Sequence, residues 1–211
     1  MKSLKDLDYL FENPTKTPSG WLGQISCELE FLDNMSTEYM IAGGFARDIF
    51  FGVSPRDIDI ELFGFDNHLA LKQTFGKLHD LLEAKGRVDE VYDSTGYVGR
   101  NNISAVIKTK TGVDYIFNSP EVKTKDDALN NFDFNLNLFC FDVITGLVRF
   151  EGPTKTLGIL IPVKPLEELS SDRITYMSQK AKDFGWEVPS VKAWSNIIPL
   201  KSQAQLRDYL L

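Results

Sequence analysis

The sequence predicts an α+β domain: a mixed or antiparallel sheet flanked by helices, with a short helical segment following it. Three observations carry this expectation. Apolar residues recur at helical spacing in segments ahead of residue 90 and again after residue 165. Between them lie short runs that alternate polar and apolar or are rich in β-branched and aromatic residues: "DIDIELFGF", "ISAVIKTK", "VDYIFN" and "FNLNLFCFD". Glycine turns then link two pairs of strand candidates at hairpin distance. The 211 residues, 43% hydrophobic and 12% aromatic, suffice for one domain with a sizeable core and a small appendage.

Along the chain, residues 1–20 are polar and turn-rich, end in "PTKTPSG", and read as a loosely ordered arm. "WLGQISCELEFLDNM" places Trp21, Leu22, Ile25, Leu29 and Leu32 at helical spacing. "YMIAGG" is a short apolar strand stopped by glycines, and "FARDIFFG" is one to two helical turns ended by Gly52. "DIDIELFGF" alternates as a half-buried strand does. Residues 67–84 form a helix with Leu69, Phe75, Leu78, Leu81 and Leu82 on or near one face. Thr111-Gly112 joins "ISAVIKTK" to "VDYIFN" as a hairpin, and Thr145-Gly146 turns "FNLNLFCFD" into "LVRF" as a second. "KTKDDALNN" reads as a short helix between them. From Pro165 the chain is mostly helical through "PLEELSSDRITYMSQKAKDFGW" and again in "SQAQLRDYLL". The expected organisation is an arm over 1–20, a mixed domain over 21–160 and a helical appendage over 161–211.

A formal charge of −7 argues against wrapping a long stretch of nucleic acid, because Lys and Arg supply the phosphate contacts. It leaves room for a local basic patch or a nucleotide held through metal ions. The two cysteines, Cys27 and Cys140, stand among apolar neighbours with no metal-ligand spacing, which favours a reducing compartment. No run has the length of a signal-peptide core or a membrane span, so a cytoplasmic protein with no membrane partner is expected.

The chemistry concentrates in residues 41–62, "IAGGFARDIFFGVSPRDIDIEL". In a strand, residues i and i+2 share a face, so Asp57 and Asp59 project together while Ile58 and Ile60 turn to the core. Adjacent carboxylates repel unless a cation lies between them. A hard divalent ion, Mg²⁺ or Mn²⁺, suits oxygen donors and leaves positions for substrate phosphates. A solvated edge strand is the structural alternative, and Glu61, which continues the alternation, fits it. Gly43 and Gly44 close an apolar strand ahead of a short helix, where backbone N–H groups meet phosphate. Asp114 opens another expected strand after a glycine turn, placed to join the pair across the sheet. Three acids near a glycine loop suit two-metal phosphoryl or nucleotidyl transfer. His68 and His79 read as solvated helix positions, the basic runs "KTKTG" and "VKTKDD" as solvated loops, and Trp186 and Trp194 as staples for the last helices. Arg100, Asn101 and Asn102 form a polar loop that could touch substrate.

These residues carry a resemblance. "GGFARDIFFGVSPRDIDI" resembles the first motif of the class II tRNA nucleotidyltransferases (CCA-adding enzymes) and bacterial poly(A) polymerases, Gly-Gly-x-x-Arg-Asp followed by Asp-x-Asp. "DDALNNFDFNLNLFCFDVITG" is similar to their second motif, Arg-Arg-Asp-Phe-Thr-Ile-Asn with a following strand and turn. "DRITYMSQKAKDFGWEV" is similar to the helix bearing their base-selecting arginine. The resemblance implies a polymerase-β-like head domain over 21–160 and a neck-like segment after it. It implies that Asp57 and Asp59 bind catalytic metal and that Asp114 is a further acid of the reaction. It implies that Gly43, Gly44, Arg47 and Asp48 hold or brace the triphosphate loop, that Asp133 and Asn137 approach the nucleotide sugar, and that Arg173 reads the base. The implied partners are a nucleoside triphosphate and a short RNA or tRNA 3′ end.

Departures from the pattern are equally specific. Asn131 and Phe132 stand where the second motif has two arginines, Leu169-Ser170 where the third has Glu-Asp, and Tyr176 where a second arginine follows. The motif between the second and third is hardly visible in "EGPTKTLGILIPVKP", and within these 211 residues only a short stretch follows the neck-like helix, where the family has a long helical body and tail. A small head-domain enzyme acting on a short RNA, a nucleotide or a protein side chain, alone or with a partner, is the expectation. A catalytically inactive module that kept the fold and binds a nucleotide or partner is the alternative.

Overall fold

The computed structural model describes residues 19–93 and 102–194. The expected arm up to residue 18, the loop positions Arg100 and Asn101, and the expected helix in "SQAQLRDYLL" lie outside the described residues.

The described chain runs α1 (Ser19–Asn34), β1 (Glu38–Ala42), α2 (Gly44–Phe50), β2 (Ile58–Phe63), α3 (His68–Ala84), β3 (Val88–Asp93), β4 (Ile103–Thr109), β5 (Val113–Asn118), α4 (Lys125–Leu129), β6 (Phe139–Phe141), β7 (Val148–Phe150), α5 (Ser171–Asp183) and α6 (Val191–Trp194). Seven strands form one sheet in the order β3-β4-β5-β2-β1-β6-β7. β2 and β5 are parallel, and every other neighbouring pair is antiparallel. The α+β class with a mixed sheet flanked by helices is therefore the observed one.

Two elements differ from expectation. β3 has no counterpart among the expected strands; among the described residues it is an edge strand paired with β4 alone. "FNLNLFCFD" is not one strand. Asn135–Asn137 makes a 3-10 turn, and only Phe139–Phe141 joins the sheet. Asn135 explains the break: its amide donates to the Thr156 and Ile159 carbonyls and accepts from the Ile161 N–H, contacts made with a distant segment.

β2 is central, which overturns the solvated edge strand as an account of the Asp-x-Asp run. Ile58, Ile60 and Leu62 enter the main core with Ile25, Leu29 and Leu32 of α1 and Leu71, Leu78 and Leu82 of α3. Glu61, on the other face, is only 1% exposed, and Asn118 Nδ2 donates to its Oε2 (2.9 Å). The second face packs Met40, Ala42, Phe63, Phe132, Cys140 and Val163. Burial there pushes the Cys140 thiol up to about 12, while Cys27 is exposed; both thiols are free.

The segment after residue 160 shares this core. Met177, Ala181, Trp186 and Trp194 pack with the sheet residues. Trp186 meets the rings of Phe139 and Phe150, and Trp194 Nε1 donates to the Leu160 carbonyl (2.9 Å). The staple role expected of both tryptophans is what they perform. Among the described residues no helix is long and apolar enough to cross a membrane.

Candidate active site

A cleft of about 360 Å³ opens where the C-terminal ends of β1 and β4 meet the N-terminal ends of β2 and β5. Local rules build its floor. β1 stops at Gly43, whose φ of 79° and ψ of −132° lie in a region that side chains avoid. Its N–H donates to the Phe139 carbonyl (3.0 Å), and its own carbonyl accepts from Arg47 N to begin α2 (3.0 Å). A Cβ at Gly43 would come within 3.2 Å of Phe132 Cε1 and 3.9 Å of Asp59 Oδ2. The glycine thus lets the backbone, the Phe132 ring and a carboxylate converge.

The acids come from two strand ends. Asp57 immediately precedes β2, Asp59 is its second residue, and Asp114 is the in-register partner of Asp59 on parallel β5. The hairpin turn sets that register, since the Gly112 carbonyl accepts from Ile58 N (2.8 Å). All three acids line the cleft. Burial, reinforced by the charge of Asp57 and opposed by Lys108, holds the Asp114 carboxyl above the ordinary range. Arg56 Nε and Nη2 both donate to Asp57 Oδ2 (3.0 and 2.8 Å) from a largely exposed position.

Residues from three other segments brace the wall. Arg47 donates through Nε to Asp48 Oδ1 (2.8 Å) and through Nη1 to Asn137 Oδ1 (2.9 Å), all of them buried. Asn137 Nδ2 donates to Asp133 Oδ1 (3.1 Å), and Asp133 Oδ2 accepts from Arg173 Nε on α5. One polar chain therefore runs from Asp48 through Arg47, Asn137 and Asp133 to Arg173. Of the ten residues singled out in the sequence, nine line the cleft: Gly43, Gly44, Arg47, Asp48, Asp57, Asp59, Asp114, Asn137 and Arg173. Asp133 stands behind it, holding Arg173 and Asn137.

The cleft also contains Arg56, Lys108, Phe132, Tyr176 and Lys180, none of them a site residue expected from the sequence. Lys108 faces Asp114 across the hairpin, one residue off the register of a two-residue Thr111-Gly112 turn, which would set Thr109 there. Arg56 adjoins Asp57 in the sequence. Tyr176 and Lys180 lie three and seven residues beyond Arg173 on one helical face. Phe132 stands where the resemblance has an arginine, and its ring packs under Gly43. Asn131 is buried, donating to Asn118 Oδ1 (3.2 Å) and accepting from Asn102 Nδ2 (2.8 Å), away from the cleft.

A divalent cation can be tested against this donor set. Asp57, Asp59 and Asp114 offer only hard oxygen atoms. Among the described residues no three such side chains close on one point. A partial shell fits Mg²⁺ or Mn²⁺, which take one or two carboxylates and keep other positions for water and substrate phosphate.

No protein-family model matches the chain, and no curated protein matches it by sequence. Solved structures do match. A CCA-adding enzyme in complex with CTP superposes with a TM-score of 0.55 at 20% identity over 97% of this chain and 45% of that one. The Thermotoga maritima CCA-adding enzyme complexed with tRNA gives 0.55 at 20% identity over 100% and 47%. The Bacillus stearothermophilus enzyme in complex with CTP gives 0.54 at 15% over 82% and 41%. The likeness establishes a shared fold, that of the CCA-adding enzyme head domain. The chain spans less than half the length of these three enzymes.

Proposed function

We propose that this protein is a metal-dependent, template-independent nucleotidyltransferase. It transfers a nucleoside monophosphate from a nucleoside triphosphate to an acceptor hydroxyl, an RNA 3′ end such as that of a short RNA or tRNA, and releases pyrophosphate. The observation that carries this reading is that three carboxylates from the ends of two parallel strands line one cleft with a diglycine turn, on a fold shared with CCA-adding enzymes. The solved complexes with CTP, ATP and tRNA support nucleotide and RNA as the kinds of partner.

In this reading Gly43 and Gly44 admit the triphosphate close to the backbone, and Arg47, fixed by Asp48 and Asn137, keeps that turn in shape. Asp57 and Asp59 would hold Mg²⁺ or Mn²⁺, which supplies positive charge against the phosphates. Arg56, Lys108 and Lys180 add further positive charge around the cleft. Asp114, kept less acidic by burial, accepts the proton of the attacking hydroxyl. The new bond forms between that oxygen and the α-phosphorus, and the bond from the α-phosphorus to the pyrophosphate oxygen breaks. A head domain over 21–160 with a helical appendage over 161–211 remains the proposed division of labour.

The test is incubation with each labelled nucleoside triphosphate, Mg²⁺ or Mn²⁺, and a pool of short RNAs and total tRNA. The expected product is RNA labelled at its 3′ end, with Asp57→Ala/Asp59→Ala lower by at least about a hundredfold. Label on protein would redirect the activity to protein modification. Nucleotide binding that ignores metal and yields no product from folded protein would make the chain a binding module.

A further inference from the structure

The inference concerns how the cleft holds the base, and it rests on the nucleotide-site reading above. Helix α5 presents Arg173, Tyr176 and Lys180 to the cleft. None of the three is an amide or a carboxylate. Ser170, the residue before α5, spends its Oγ accepting from Arg173 N (3.2 Å) as the helix cap. Asn137, the one amide among the described residues that line the cleft, is engaged at both ends, by Arg47 and by Asp133. Asp48 accepts from Arg47. The other carboxylates lining the cleft are Asp57, Asp59 and Asp114, at the strand ends where the metal and acceptor belong.

An ammonium and a guanidinium only donate hydrogen bonds, and every nucleobase offers acceptors on its edges. Arg173 and Lys180 can meet acceptor atoms on any base, but neither can accept from the exocyclic amino groups of adenine, cytosine or guanine, so they do not supply a paired donor-and-acceptor readout. Tyr176 can hold any base. Tyr176 is 46% exposed although it lines the cleft, and the Arg173 guanidinium carbon lies 5.4 Å from its ring centroid. Arg173 is itself anchored by Asp133 through Nε. The ring is thus backed by a fixed cation and open to solvent, which is the arrangement of a stacking platform. Stacking is tolerant of sequence because each base has a π-face.

We propose that Tyr176 is the base-binding residue of this cleft, and that nucleotides are held there by stacking and not by edge recognition. The site takes all four nucleoside triphosphates, with purines ahead of pyrimidines because their rings offer more area.

The experiment is calorimetric binding of ATP, GTP, CTP, UTP and inorganic tripolyphosphate, each with Mg²⁺, to the full chain and to Tyr176→Phe, Tyr176→Trp and Tyr176→Ala. A circular-dichroism melt of each variant confirms the fold. The four nucleotides are expected within about tenfold of one another, and Tyr176→Ala to weaken all four by about tenfold or more. Tripolyphosphate should bind wild type and Tyr176→Ala alike, and the Phe and Trp variants should keep nucleotide affinity. A preference of about a hundredfold for one base, or Tyr176→Ala binding like wild type, would overturn the proposal. Absence of binding by all four nucleotides would sink it together with the transferase reading. Stacking-dependent binding without any transfer to RNA would sustain it and sink the transferase reading alone.

Discussion

Gly43 shows how much a single position can decide. Its backbone occupies a conformation open to glycine, and the Phe132 ring and the Asp59 carboxylate stand where a side chain would begin. Gly43→Ala should cost about 1–3 kcal/mol of stability through backbone strain, with further crowding against Phe132, and should abolish tripolyphosphate binding. Gly44→Ala meets nothing nearer than Arg47 Nη2 at 3.7 Å, so thermal melting should separate the two variants clearly. Asp114 makes a prediction with a definite sign. Its carboxyl is held above the usual range chiefly by burial, so the folded state binds this proton more tightly than the unfolded chain does. The ionised group therefore opposes folding above its folded pKa, and that cost fades as pH falls toward the unfolded value. In chelator, Asp114→Asn should melt higher than wild type at pH 7, lose the advantage in acid, and transfer no nucleotide. An equal melting temperature at pH 7 would refute the assignment of a strained, unmetallated carboxylate.

At the scale of elements, strong local signals were reliable and weak ones were not. The helix of Asn67 onward begins where the Asn67 side chain accepts from the N–H groups of Leu69 and Ala70, a cap written into the sequence. The Thr124 capping box is equally local: its Oγ1 accepts from Asp127 N, and Asp127 returns the bond to Thr124 N. Thr124→Ala should therefore cost about 1 kcal/mol in urea titration with the slope unchanged, and leave tripolyphosphate binding intact. β3 escaped notice for a physical reason. "VDEVYD" carries three acids in six residues and, among the described residues, pairs on one side only, so its apolar positions make a weak pattern. The misread run at Asn135 was decided by backbone groups of a segment more than twenty residues away, which no local window contains.

For the whole molecule, the continuity of the core matters most. The C-terminal helices do not sit apart from the sheet; Trp186 packs among Phe51, Phe139 and Phe150 beside the cleft wall. Trp186→Ala should cost about 3–5 kcal/mol, lower the midpoint of one cooperative transition, and weaken nucleotide binding by loosening α5. Two resolved transitions in a denaturant titration, with nucleotide binding surviving the first, would show that the helical segment is a separate unit. The same continuity explains why Arg173, in the last third of the chain, stands one side chain away from Asn137 and two from Arg47.

Local signals in the chain specify the α+β class, most of the helices and hairpins, the shared face of Asp57 and Asp59, and the glycine turn beside them. These follow from period, capping and turn chemistry, which act over a few residues. The parallel pairing of β2 with β5 belongs to tertiary structure, and with it the register that sets Asp59 opposite Asp114. So do the burial of Glu61, the withdrawal of Asp133 behind the wall, and the arrival of Tyr176 and Lys180 at the cleft. Each depends on which distant segments pack together, and packing is settled by the burial of whole faces, on which the local pattern of any one element is silent.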